Sequence, residues 1–404
     1  MMPVDLSCIP GPAKRRAAPS FERWLVLLIV LIAIGGFVTV YFWPVGAPTL
    51  TATFWFCFLG FPMAVGGIIV ALRWLVYLAG EWLADGWDRA REWDLAQDIH
   101  NGQRSLAMLG QVVHLPHVIS AESVSQQLLM PDGITLPSQV DETGEILIHQ
   151  ASFSDVAMPV QDRVKERIHL LLTEASLQSA FQRLPQKASL SVLFQFSPDI
   201  SVSPEERRVL QEFVKGCPGF PFNMTFVPGE GLQVVDAWLD QPEMMQHLLV
   251  IALNLSDKMT DGIGEAAVAL LMSASDTPEA ARDIVAEIHR PEQVKGAQSF
   301  NRALLQAVDW GKTTPEEIKH VWLTGTGVSN EATSLLSGAG VRFPAAGQPC
   351  DIDLKTGLTG CVSPWLAMAV AAEQAGQSAS PQVVMCVPGD NTPPWFMTIC
   401  PAAK

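Results

Sequence analysis

The sequence predicts a layered α/β domain behind a two-helix transmembrane hairpin. Two uncharged apolar runs in tandem near the N-terminus carry the hairpin. Beyond residue 158, helix-period segments alternate with β-rich ones, the pattern of an α/β layered domain. Basic residues flank the apolar runs on one side only, which orients them.

Residues 24–43 (WLVLLIVLIAIGGFVTVYFW) contain no charge, and at ~1.5 Å per helical residue they match a hydrocarbon core of about 30 Å. A second uncharged run covers residues 51–72. Pro44, Gly46 and Pro48 separate the two, a break that a helix does not continue through. Lys14, Arg15, Arg16 and Arg23 precede the first run, Arg73, Arg89 and Arg91 follow the second, and the connecting loop has no Lys or Arg. The expected topology is therefore two-pass in a bacterial inner membrane, both termini cytoplasmic, with the lipid bilayer as one partner. No small-residue cleavage site precedes the second run, which argues against a removed signal peptide. Trp74, Tyr77, Trp82 and Trp87, mixed with charged residues, predict that the second helix continues to about residue 99 as a connector.

Residues 1–20 carry Pro, Gly and basic residues without apolar period and are expected to be a disordered tail. Residues 21–100 form the hairpin and connector, and residues 101–404 the α/β domain. A net charge of −15 without a basic patch excludes a nucleic-acid partner, because phosphate binding draws on clustered Lys and Arg. The seven cysteines are scattered, odd in number and without a C-x-x-C pair, which suits a reducing compartment.

Within the domain, His114 and His117 have metal-like spacing, but a proline lies between them and no neighbouring Cys or carboxylate completes a shell. No metal and no cofactor site is expected. Residues 145–149 read as a strand, 162–183 as a helix, 188–196 as a strand, 204–215 as a helix capped by Ser203, 222–227 as a strand and 231–239 as a helix. Residues 247–255 (HLLVIALNL) form a continuous apolar run of the kind a sheet covered on both faces requires. In residues 261–273 a glycine turn precedes a β-rich run, so its G-x-G-x-x-A lacks the strand-before, helix-after context of a dinucleotide loop. Residues 277–289 and 297–309 read as outer helices, 319–323 as a strand, 330–336 as a helix, and residue 350 as the start of another strand. A helix over 363–374 and strands at 382–386 and 395–400 close the chain. No internal repeat is visible.

The order DGIGEAAVALL at Asp261, VWLTGTGVSNEA at Val321, DIDLKTGLTGCVSPWLAMAVAAE at Asp351 and a closing pair of strands resembles the C-terminal half of β-ketoacyl synthases of the thiolase superfamily. The resemblance covers roughly residues 255–400 and implies a thiolase-like fold, commonly dimeric. It also implies a site with a cysteine nucleophile at a buried helix N-terminus and two histidines meeting over one pocket. Here the sequence departs: Thr324 and Gly360 (or Cys361) stand where the histidines belong, only Lys355 is retained, and Cys217, in KGCPG, does not match the nucleophile turn. Lys355 reads as the member of a structural ion pair. Without thiolate and imidazoles nothing holds or polarises an acyl substrate.

The expectation is thus a catalytically degenerate ketosynthase-like protein that binds an as yet unidentified protein partner at the membrane, with a homodimer as one assembly. Accessory components of bacterial secretion machines, the type VI system among them, share this layout. The rival reading is a membrane-associated acyl- or lipid-processing enzyme using Cys361. That cysteine precedes Ser363-Pro364, the predicted helix start, and a helix N-terminus favours thiolate.

Overall fold

The computed structural model describes residues 9–117, 123–140, 144–154, 158–185, 188–198, 200, 202–217, 223–241, 246–275, 277, 283–295, 300–325, 342–387 and 392–402. The chain divides into two compact units, Asp5–Ile99 and His100–Lys404.

In the first unit, α1 (Phe21–Phe42) ends at the proline break. A short helix α2 (Ala52–Trp55), capped by the Thr51 hydroxyl, passes through one π turn (Phe56–Gly60) into α3 (Phe61–Gly102). Both helices are long and apolar enough to cross a membrane. Only 6% and 11% of their most apolar windows are buried. The two runs touch closely. A Cβ on Gly35 would lie 2.1 Å from Pro62 Cγ, and the Thr39 hydroxyl donates to the carbonyls of Gly35 (2.8 Å) and of Cys57 in the π turn (3.1 Å). Residues 10–15 of the tail contact α3. Arg91 Nε donates to the Pro10 carbonyl, Ala13 N–H to Asp88, and Arg15 reaches Glu81, Asp85 and Asp88, because the basic tail meets an acidic helix face.

The second unit is built from two five-strand sets with one topology. The first comprises β1 (Ser105–His114), β4 (Ser189–Phe196), β5 (Asn223–Val227), β6 (His247–Asn254) and β7 (Ala266–Ala274). The second comprises β8 (Ala286–His289), β10 (His320–Thr324), β11 (Cys350–Asp351), β12 (Gln382–Cys386) and β13 (Trp395–Pro401). The spatial order is β11-β10-β12-β13-β8-β1-β7-β6-β4-β5, with β9 (Glu292–Gln293) beside β13. In each set the second strand lies parallel to the third and fourth, and the fifth runs antiparallel to the fourth and the first. The sequence showed no repeat, yet the backbone is duplicated. The halves join where β1 pairs with β8. A separate two-stranded ribbon pairs β2 (Ser138–Val140) with β3 (Leu147–His149).

Alternation along the strands sorts the core into layers. Ala107, Val192, Leu249 and Leu271 face α5 (Val160–Thr173), α6 (Ala175–Arg183) and α7 (Pro204–Lys215) on the outside of the first half. Val321, Leu323, Val383 and Phe396 face α9 (Phe300–Trp310) on the outside of the second. The opposite faces of both halves share one core with α4 (Val124–Leu129), α8 (Gly231–Leu239) and a 16-residue helix, Ser363–Ser378. That last helix, α11 (after the helical turn α10, Asp353–Thr356), buries 12 of its residues, and its run of alanines lets two sheets close on it.

The run expected to be buried on both faces, in β6, is so along its whole length, and so is β12. Two expectations are corrected. Residues 162–183 are two helices, with Glu174 extended between them. The helix expected over 277–289 is strand β8 at its C-terminal end, where pairing with β1 and β13 overrides helix propensity. The helix expected at 330–336 lies outside the described residues.

Candidate functional site

The internal duplication identifies equivalent positions. α8 and α11 each lead from the third strand of a half to its fourth, and both lie in the middle layer. Each begins beside a glycine with positive φ, Gly231 at 52° and Gly360 at 56°, in a region closed to most side chains. The first turns of the two helices meet. Gln195 Oε1, near the end of β4, accepts from Trp365 Nε1 of α11 (2.6 Å) and from the Gly231 N–H of α8 (3.4 Å).

Beside this junction, a 3-10 turn (Gly360–Val362) carries Cys361. Its thiol donates to the Leu253 carbonyl at 3.7 Å, so its partner is backbone and not an imidazole. Burial pushes the thiol up to about 12, and the nearby Glu230 carboxylate adds to the rise. This is the opposite of the lowering a helix N-terminus was expected to give: burial outweighs the dipole, and the nearest charge has the wrong sign. Asn254, buried at the end of β6, donates to the Gly264 carbonyl (2.8 Å). A Cβ on Gly360 would lie 3.3 Å from its Oδ1, so the turn is closely fitted to it.

Thr324 has partners of its own. At the end of β10 its hydroxyl donates to Asp353 Oδ1 (3.0 Å), and the Gly325 N–H donates to Oδ2 (2.6 Å). Asp351 Oδ1 accepts the N–H groups of Asp353 and Leu354. Its Oδ2 is buried with no partner among the described residues, and burial pushes the carboxyl up to about 6. Lys355 donates to the Met130 carbonyl at 2.7 Å, a backbone hydrogen bond in place of the expected ion pair.

The remaining candidates are dispersed. Cys217 closes α7, where burial raises its thiol and its Sγ donates to the Phe213 carbonyl (3.5 Å). His114 pairs with Glu174 at 3.3 Å, and burial lowers both His114 and His117. Among the described residues no three His, Cys, Asp or Glu side chains are grouped to hold a metal.

Sequence reasoning missed Glu230, Gly231, Gln195, Asn254 and Trp365. The helix N-terminus near Cys361 is that of α8, where Glu230 is exposed and Gly231 half-buried. The available signal was Gly229-Glu230-Gly231 ahead of an apolar helix.

A five-layer arrangement of duplicated halves around two central helices is the fold of ketosynthase-like, thiolase-type domains, and this chain has it. Three solved structures are similar to it at a TM-score of 0.51. A PfaC ketosynthase-chain length factor is 12% identical, over 74% of this chain and 43% of that one. The ketosynthase from module 1 of the bacillaene synthase from Bacillus amyloliquefaciens FZB42 is 13% identical, over 75% and 77%. Ketosynthase twelve of the bacillaene polyketide synthase in Bacillus amyloliquefaciens is 11% identical, over 74% and 75%. This chain therefore spans under half of the first and about three quarters of the other two. The likeness is one of fold. No protein-family model and no curated protein sequence matches the chain.

Proposed function

We propose that this chain is a membrane-tethered ketosynthase-like protein that binds a protein partner at the bacterial inner membrane and has given up acyl-transfer chemistry. One observation carries the reading: the helix N-terminus beside Gly360 and Cys361 presents Glu230 and Gly231 in place of a thiolate. A carboxylate there repels the enolate and oxyanion that condensation generates. The two apolar helices supply the tether, and the basic residues flanking them support cytoplasmic termini. An accessory role in an envelope machine such as the type VI system fits this layout.

A second reading keeps chemistry at Cys361. Cys361 is partly open to solvent and Gly360 is exposed, so an acyl group could reach the sulfur. Incubation with an acyl-thioester probe, followed by intact-mass spectrometry, separates the two. The expected outcome is an unmodified chain at pH 7–8, because a thiol titrating near 12 is almost wholly protonated there. A stoichiometric adduct that disappears in Cys361→Ala would overturn the binding reading and establish the second.

A further inference from the structure

Helix α3 continues some 30 residues beyond the second apolar run, about 45 Å at ~1.5 Å per residue. Along this extension Leu72, Val76, Ala79, Leu83, Gly86 and Ala90 recur at alternating intervals of four and three, and Trp93 follows at the next. This is the spacing of a coiled-coil seam. The stripe is uncovered: Leu72, Val76, Leu83 and Trp93 are 58%, 54%, 78% and 68% exposed.

The heptad that places Val76, Leu83 and Ala90 at a and Ala79, Gly86 and Trp93 at d puts Glu81 and Asp88 at f, the position farthest from a partner helix. Arg15 of the same chain binds both, at 3.1 and 3.0 Å, so the acidic face is already occupied. The same frame places Arg89 at g and Asp94 at the following e, the two positions that meet across a parallel two-stranded seam. The stripe is therefore complementary to a second copy in spacing and, at Arg89 and Asp94, in charge.

Lipid does not suit it. The headgroup layer adds only about 5–8 Å on each side of the hydrocarbon core, whereas Leu83 lies roughly 16 Å and Trp93 roughly 31 Å beyond residue 72 along the helix. We propose that a second copy of this chain docks here, the two α3 extensions forming a parallel, in-register coiled coil with Arg89 of one facing the partner's Asp94. The parallel register rests on the membrane reading above, since two hairpins inserted the same way present their extensions side by side.

The test is disulfide cross-linking of the full chain in native membranes under mild oxidation, with the parent sequence as baseline. Leu83→Cys and Ala90→Cys are expected to give disulfide-linked dimers, and Glu92→Cys, at an outward position, none. Arg89→Glu should lower the Leu83→Cys dimer yield several-fold, and adding Asp94→Arg should restore it. Equal yield at all three cysteine positions, no yield above baseline, or no rescue by the second charge change overturns the proposal. A Leu83→Cys chain that neither cross-links nor reacts with a water-soluble maleimide has its seam covered by lipid or by its own globular unit, which also overturns it. Carbonate extraction tests the membrane reading separately. A released chain overturns that reading, while the same cross-linking in solution still decides the pairing.

Discussion

The two halves of the globular unit share one strand order, but the buried charge of Glu265 in the first and of Asp351 and His289 in the second is handled differently. In the first half, Glu265 and Arg163 are completely buried together. The guanidinium Nη2 lies 2.7 Å from both carboxylate oxygens, and the Phe153 and Ser256 N–H groups complete the shell. In the second half, Asp351 is buried against backbone N–H groups on one oxygen and nothing among the described residues on the other. His289 is buried beside Trp310, with no hydrogen-bond partner for Nδ1 among the described residues. The lesson is that a fold can be duplicated without its electrostatics. Arg163 with Glu265, and Arg290 with Asp236 and Asp240, lock their charge into pairs, while Asp351 and His289 are left as groups whose protonation follows pH.

Breaking the pair should give the largest effect. Glu265→Ala removes the fully buried carboxylate that Arg163 faces, so equilibrium unfolding should show a loss of about 3–5 kcal/mol. A loss below 1 kcal/mol would mean that water reaches the guanidinium and that the two halves do not differ as described.

His289 sharpens the contrast through pH. Burial lowers it to about 4 from an ordinary 6.5. The folded state holds it neutral, so its contribution is full above pH 6.5 and is lost as pH falls toward 4. About 3 kcal/mol should disappear over that window. His289→Gln should flatten this limb of the stability curve, and an unchanged limb would assign it to other groups.

Asp351 should give the smallest effect and the opposite sign. Its folded pKa of about 6 exceeds the ordinary 3.8, so its contribution is most favourable below about pH 4 and is lost as pH rises through 6. Asp351→Asn should therefore increase the unfolding free energy at pH 8 by about 1–2 kcal/mol and leave it unchanged at pH 4. A destabilised variant at pH 8 would show that the carboxylate has a partner in solution.

The stretch from the turn before β7 onward was the legible one. Its block at Asp261, leading into β7 of the first half, and its blocks at Val321 and Asp351 in the second carried the resemblance, because turns with fixed glycines and a long buried helix restrict residue choice along a continuous stretch. In the first half, β1 (SLAMLGQVVH) is central to the sheet yet ends in polar residues and carries a bulge at Gly110, so no strand period betrayed it. β8 read as helix for the related reason that only pairing with β1 and β13 makes it a strand.

Sequence by itself determined the features that depend on neighbours along the chain. These are the two apolar runs, the proline break between them, the Ser203 capping box of α7, the continuous apolar strands β6 and β12, and the absence of histidine at Thr324 and Gly360. Tertiary structure alone decided what depends on residues far apart. It joined Gln195 to Trp365 and Gly231, brought Glu230 to Cys361, and laid Arg15 on the acidic face of α3. Local pattern records propensity and burial, which act residue by residue. The ionisation of a thiol depends on the field and solvation at one point in space, and only the folded chain assembles that point.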